Sequence, residues 1–249
     1  MADPVYNIKL VMAYDGTRYH GWQRQSREAT VQGLVEEKIQ MMLGERVTLN
    51  ASGRTDAGVH AVNQVCNFKT RSRLTPEAIR KGLNSLLPDD IFLRSAEYVP
   101  LDFHARYSAK GKAYEYRILN REDPDLFLRQ YVWHIQVPLD TEAMAECLAM
   151  IRGRHDFSAF KSSGSITLDP VRIVTRAALY GPENGLLRIV LEADGFLRHM
   201  VRNLVGTMVE VGMGKIGIED FRGIFESRDR RLAGIKAPAQ GLFLMEVHY

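Results

Sequence analysis

Cysteine is nearly absent from this chain: Cys66 and Cys147 are the two in 249 residues, far apart and without a CxxC partner. That argues against a disulfide framework and a structural zinc site, and it suits a reducing cytosol. Long apolar runs are also missing, since none approaches the ~18 residues that cross a bilayer. The start, Met1-Ala2-Asp3-Pro4, runs straight into an alternating strand pattern and lacks signal-peptide anatomy. The expectation is a soluble, cytoplasmic protein with no membrane partner.

The parts for several chemistries are lacking as well. There is no Walker-type phosphate loop, no HExxH among the seven histidines, and no HxE with PCxxC of a zinc base-deaminase. Asp56-Ala57-Gly58 faintly resembles the aspartic-protease triplet, but a second triplet for a carboxylate pair does not occur. Gly212-Met213-Gly214-Lys215-Ile216-Gly217 fits G-x-G-x-x-G. A dinucleotide site needs a strand before it and a full βαβ unit around it. Here the preceding residues have helical spacing, and fewer than about 40 residues remain, too few for such a domain. A helix C-terminus followed by a turn is the better reading. Neither a metal nor a nucleotide cofactor is expected.

What is present is ordinary globular composition, 45% hydrophobic and 25% charged, in a length that suits one large domain or two packed lobes. The net charge of +3 says little, but its distribution says more. Arg18, His20, Arg24 and Arg27 surround Tyr19 and Trp22; Arg106, Lys110 and Lys112 surround Tyr107 and Tyr114. Further basic clusters fall at 152–155, 198–202 and 228–231. Cations interleaved with aromatics suit a phosphate backbone with unstacked bases. Solvated surface charge explains any one cluster; five together favour a polyanionic partner.

Alternation over 5–14 predicts a half-buried strand with Ile8, Leu10, Met12 and Tyr14 on one face. Thr30 caps a helix with Val31, Leu34, Val35 and Met42 as its apolar face. Strands are expected around 47–50 and 62–68, and Thr75-Pro76-Glu77 starts a helix buried through Ile79, Leu83 and Leu86. Strands at 90–98 and 112–119 follow. A helix capped by Asp140 comes next, then a hairpin of 171–180 and 186–193 turning at Asn184-Gly185. Helices near 197–209 and 218–227 and a strand at 242–248 complete an α+β pattern with a largely antiparallel sheet.

The loop Gly53-Arg54-Thr55-Asp56-Ala57-Gly58-Val59-His60 is the most informative segment. Its glycines permit a tight path, and a strand-to-loop edge can present a side chain to a cleft. Arg54, two residues before Asp56, would share its side on an extended path and could keep the carboxylate ionised. The local pattern alone leans towards an ordinary Asp–Arg turn pair. With metal, nucleotide and paired-carboxylate chemistry set aside, a lone carboxylate in a basic, aromatic setting suits a redox-neutral isomerisation.

This loop, extended to Ala61, resembles the signature of the tRNA pseudouridine synthase A family. Four further stretches resemble family motifs in the family's order: Tyr14-Asp15-Gly16 through Gly21-Trp22-Gln23-Arg24-Gln25, Asp102-Phe103-His104-Ala105-Arg106 with Lys112-Ala113-Tyr114-Glu115-Tyr116, Gly153-Arg154-His155-Asp156-Phe157, and Phe196-Leu197-Arg198-His199-Met200-Val201-Arg202-Asn203. Residues 162–170 match none of them. The resemblance implies two ferredoxin-like halves, 1–105 and 106–249, that share a mixed, mostly antiparallel sheet flanked by helices, with a catalytic cleft between them. It also implies a homodimer and no cofactor, with uridines 38, 39 and 40 of the tRNA anticodon stem-loop as substrate. On this pattern Asp56 is the catalytic carboxylate, Tyr114 packs against the target base and acts in proton removal, and Arg202 pairs with the aspartate. Arg54 joins the same network as a substrate-binding residue. For Arg202 a helix-end phosphate contact is the alternative; for Trp22 and Tyr116 core packing is preferred to catalysis. An RNA-binding module without catalysis and a structural dimer are the rival functions.

Overall fold

The computed structural model describes residues 4–162 and 169–249. Met1-Ala2-Asp3 of the leader reading and most of the unmatched stretch 162–170 lie outside the described residues. The chain divides into two compact units, residues 1–110 with 244–249, and residues 111–243. Ten strands and five α-helices are present among the described residues, an α+β architecture in which antiparallel pairing predominates.

The first unit runs β1 (Tyr6–Tyr14), α1 (Val31–Leu43), β2 (Asn50–Ala51), β3 (His60–Thr70), α2 (Pro76–Leu86) and β4 (Ile91–Val99). Its strands lie in the order β4-β1-β3-β2, all antiparallel, which is the ferredoxin-like arrangement. The last strand, β10 (Leu242–His248), lies beside β3, and Asn63 Nδ2 donates to the Met245 carbonyl at 2.8 Å. Ile8, Leu10, Met12 and Tyr14 are buried as their alternation requires. Thr30 and Thr75 cap the two helices through Oγ1, accepting from Gly33 N and Ala78 N. Both caps are local chemistry, so residue type alone locates them.

Other expectations need correction. The strand expected around 47–50 contracts to Asn50–Ala51. In α1, Ile39 is buried, whereas Leu34 and Met42 are only half-buried. The inward stripe also includes Gln32 and Glu36, which are polar but hydrogen-bonded: Gln32 Nε2 donates to Glu36 Oε1 at 2.9 Å, and Glu36 Oε1 accepts from Leu49 N at 2.8 Å. Leu86 is exposed, and Leu87 just past the helix end is buried in its place.

The second unit runs β5 (Gly111–Asn120), β6 (Trp133–Ile135), α3 (Thr141–Met150), β7 (Gly153–Asp156), β8 (Val171–Glu183), β9 (Leu186–Ala193), α4 (Met200–Gly212) and α5 (Ile218–Ser227). Its strand order is β5-β9-β8-β7, with the short β6 parallel to β5. Asp140 caps α3, accepting from Ala143 N at 2.9 Å. The β8–β9 hairpin turns at Asn184 and Gly185, both at positive φ (51° and 80°), as Asn-Gly turns do. Helix α4 begins three residues later than its periodicity suggests, because His199 takes a left-handed conformation (φ 65°) that helix residues do not adopt. The glycine-rich stretch 212–217 is preceded by this helix and not by a strand, so it is a helix end and turn. Cys66 and Cys147 are buried free thiols, and burial pushes both up, Cys147 to about 11.

Candidate active site

The loop between β2 and β3 is held from several directions. Thr55 is buried, and its Oγ1 lies 2.8 Å from the Tyr14 hydroxyl. The Thr55 carbonyl accepts from Trp22 N at 3.0 Å, the Tyr19 carbonyl accepts from Gly58 N at 3.3 Å, and the Asp56 carbonyl closes a turn by accepting from Val59 N at 3.1 Å. Behind the loop, buried Gln64 donates through Nε2 to the Gly53 carbonyl (2.9 Å) and to the Tyr14 hydroxyl (3.3 Å), while its Oε1 accepts from Ser52 Oγ (2.8 Å). Burial pushes the Tyr14 phenol up to about 12, which keeps it protonated. Asp56 itself is half-buried at the loop's edge. The backbone on either side of the carboxylate is therefore fixed by buried partners, the kind of support that holds a reacting group in place.

The first motif explains itself in this setting. Gly21 (φ +87°) passes so close to the loop that a methyl there would lie 2.6 Å from the Thr55 oxygen and 3.0 Å from the Asp56 carbonyl carbon. Gly16 is pressed against Val59, and its amide lies 3.1 Å from His60 Nδ1, which also faces Asp15 Oδ1 at 3.1 Å. Trp22, 1% exposed, packs near Tyr14 with ring centroids 6.1 Å apart, so its role is core packing that carries a backbone donor. Gly58 (φ +75°) requires the left-handed region at the turn, whereas Gly53 is not among the positive-φ residues. Arg54 is exposed and makes no ion pair with Asp56. Sequence reasoning placed Tyr14 and Thr55 in motifs without giving either a bracing role, and it did not single out Gln64. The signal for Gln64 was its place between apolar neighbours on one face of β3, since a buried amide demands partners.

In the second unit, Tyr114 sits on β5 opposite Leu191 and is 8% exposed, with the Phe196 ring edge-on at 5.1 Å. Arg202 lies in the first turn of α4 and is also 8% exposed. Its Nε donates to the Ala237 carbonyl at 2.8 Å and its carbonyl accepts from Ala237 N at 3.0 Å, so backbone and side chain are both bonded to the same residue. Tyr116 is fully buried in the core and donates to the Pro238 carbonyl at 2.7 Å; burial raises its phenol, with Arg202 acting in opposition. The basic clusters divide into paired and unpaired side chains among the described residues. Arg18 pairs with Asp90, Arg24 with Glu36, and Arg231 with Asp229. Among the described residues, Arg27, Arg54, Lys110, Arg152, Arg154 and Arg198 are exposed without an ion pair, open to an outside anion. No group of three or more His, Cys, Asp or Glu among the described residues is placed to hold a metal.

The sequence that carries this loop is matched by a family model. The model described as tRNA pseudouridine synthase aligns with residues 10–108 and 148–249, and the chain belongs to that family, isomerases that act on tRNA. The similarity extends to particular relatives. Proteins of Acetivibrio thermocellus and of a Thermoanaerobacter species (strain X514), both called tRNA pseudouridine synthase A, are each 46% identical over 243 residues, covering 98% of this chain and 99% of theirs. A Geobacillus protein of the same name is 44% identical over 243 residues, covering 97% and 98%.

Proposed function

We propose that this protein converts uridine to pseudouridine at positions 38, 39 and 40 in the anticodon stem-loop of tRNA, with Asp56 as the essential carboxylate. The reaction breaks the N1–C1′ glycosidic bond, turns the uracil in place and rejoins it through C5. It is redox-neutral and asks only for groups that hold the base and move charge and protons. An ionised Asp56 attacks C1′ or C6, or removes the 2′ proton on the way to a glycal. Tyr114 packs on the target base and takes part in proton removal, Arg202 serves as charge partner of the carboxylate, and Arg54 binds substrate. A target base must first leave its stack, which costs a few kcal/mol. The exposed cations offset this by binding the surrounding phosphates.

The observation that carries the reading is the clamp on Asp56: the backbone before and after it is bonded to the first motif, and Thr55 is fixed from beneath by Tyr14. A protein that only bound RNA would gain nothing from rigidly holding a carboxylate among phosphates. The test is release of tritium from uracil C5 of tRNA, comparing wild type with Asp56→Asn. Release by wild type and none by the mutant, which still binds tRNA, is expected. Equal release from both removes Asp56 from the mechanism, and no release from any tRNA by wild type favours a binding module. Stem-loops with a single labelled uridine at 38, 39, 40 or elsewhere check the positions. We read the working form as a cytoplasmic homodimer, and a monomer by sedimentation at assay concentration would overturn that part.

A further inference from the structure

The two tyrosines that the sequence sets among Arg106, Lys110 and Lys112 have different surroundings. Tyr114 is buried, while Tyr107 is 77% exposed. An exposed ring is common, but this one stands on a hydrogen-bonded turn. It projects from a closed turn in which Ser108 N donates to the His104 carbonyl at 2.9 Å and His104 N to Ser108 Oγ at 3.2 Å. Arg106 N donates to His104 Nδ1 at 3.1 Å, which fixes the imidazole. The His104 ring then lies 4.4 Å from the Tyr107 ring, centroid to centroid, with planes 41° apart. The Arg106 guanidinium stands 5.7 Å from the Tyr107 centroid.

The turn is also anchored to the first unit's core. Ala105 between them is fully buried; its amide donates to Asn67 Oδ1 at 2.9 Å and its carbonyl accepts from the Tyr249 hydroxyl at 2.8 Å. An aromatic face is thus presented on a rigid mount beside Arg106, with Lys110 exposed three residues on, its amide tied to the His248 carbonyl. Neither cation has an ion pair among the described residues. Phe127, 90% exposed, stands instead beside exposed Leu126, an apolar tip that would suit a protein.

We propose that Tyr107 is a stacking platform for an unpaired nucleobase of the RNA substrate, with Arg106 and Lys110 holding the adjacent phosphates. A base stacks on any open aromatic face, and cations beside it fit the charge of its backbone. Because the turn's backbone is already bonded and His104 flanks the ring, stacking costs less further ordering. Unpaired loop nucleotides fit this surface; the smooth side of a helix, with its bases stacked inward, does not. This inference rests on the tRNA reading above and adds a base contact distinct from the reacting uridine.

The test is the affinity of wild type, Tyr107→Ala, Tyr107→Phe and Tyr107→Trp for an anticodon stem-loop RNA and for its stem as a loopless duplex. Alanine is expected to weaken stem-loop binding by roughly 5- to 100-fold, with phenylalanine and tryptophan near wild type and duplex binding unchanged. Tyr107→Ala binding the stem-loop as wild type does, or losing stem-loop and duplex affinity alike, would overturn the proposal. Tritium release run in parallel separates this inference from the reading it rests on. Normal release with unchanged KM in Tyr107→Ala sinks the stacking role alone. No release from wild type, with stem-loop binding still dependent on Tyr107, sinks the catalytic reading alone.

Discussion

Replacing Gly21 with alanine tests whether the first motif exists to place Asp56. The substitution adds one methyl group, in a conformation (φ +87°) that costs a non-glycine residue about 1–2 kcal/mol. The methyl would also sit 2.6 Å from the Thr55 oxygen, about 0.8 Å inside the 3.4 Å at which ordinary contact begins. Its other near neighbours are the Asp56 carbonyl carbon at 3.0 Å and Ala57 N at 3.1 Å, so the atoms that must yield are backbone atoms around the carboxylate. A displacement approaching 1 Å at a reacting group costs on the order of 10²-fold in rate. The expectation is a roughly 10- to 100-fold fall in kcat for tritium release, with tRNA affinity within about twofold of wild type. The conformational cost alone should lower the melting temperature by roughly 2–8 °C, from about 2–4 °C per kcal/mol in a chain of this size, and the clash should lower it further. Gly44→Ala is the matched control. It too has a positive φ (+71°), but nothing lies within 4 Å of the added methyl. It should lose only the conformational part of that stability and keep full kcat. A folded Gly21→Ala protein with wild-type kcat, or a Gly44→Ala protein equally impaired in kcat, would refute the reasoning.

Tyr14→Phe deletes the hydroxyl bonded to Thr55 and Gln64, leaving buried partners short of a bond, and should destabilise the protein by about 1–3 kcal/mol in chemical denaturation. The same residue shapes the alkaline limb of stability. Its phenol is raised from 10.0 to about 12, so between those values the folded chain keeps a proton that the unfolded chain has lost. Stability should therefore fall as pH climbs from about 10 to about 12, and unfolding midpoints stepped through that window should fall less steeply in Tyr14→Phe. Arg202→Ala leaves the Ala237 carbonyl without its charged donor and should cost about 1.5–3 kcal/mol in thermal or urea unfolding. A variant as stable as wild type would show that bond to be dispensable. Affinity for tRNA should fall linearly on a log–log plot against salt, and a flat response would contradict the reading of the exposed cations.

The local features of the fold could be read directly from residue types. Thr30, Thr75 and Asp140 all cap helices, Asn184-Gly185 turns a hairpin, and β1 buries the face its alternation marks, because each depends on neighbours within a few positions. Burial within helices was less legible. Periodicity favoured Leu34 and Met42 in α1, but the inward stripe took Gln32 and Glu36, whose polar atoms found partners from Leu49 and Arg24. The partners Leu49 and Arg24 lie outside the helix and leave no periodic trace in it. The three-residue strand β6 likewise exists through pairing with β5 more than through its own pattern.

For the candidate site the division is similar. Sequence alone determined the family, the loop and the identity of Asp56, Tyr114, Arg202 and Arg54 as candidates, since ordered motifs survive in the linear chain. It could not say why glycines stand at 16 and 21, which of two tyrosines among cations lies open, or that Tyr14 and Gln64 brace Thr55. It did not show that the last six residues join the first unit. Those answers depend on which backbone passes within a few ångströms of which side chain. Such distances arise only when strands far apart in sequence pair and exclude water between them.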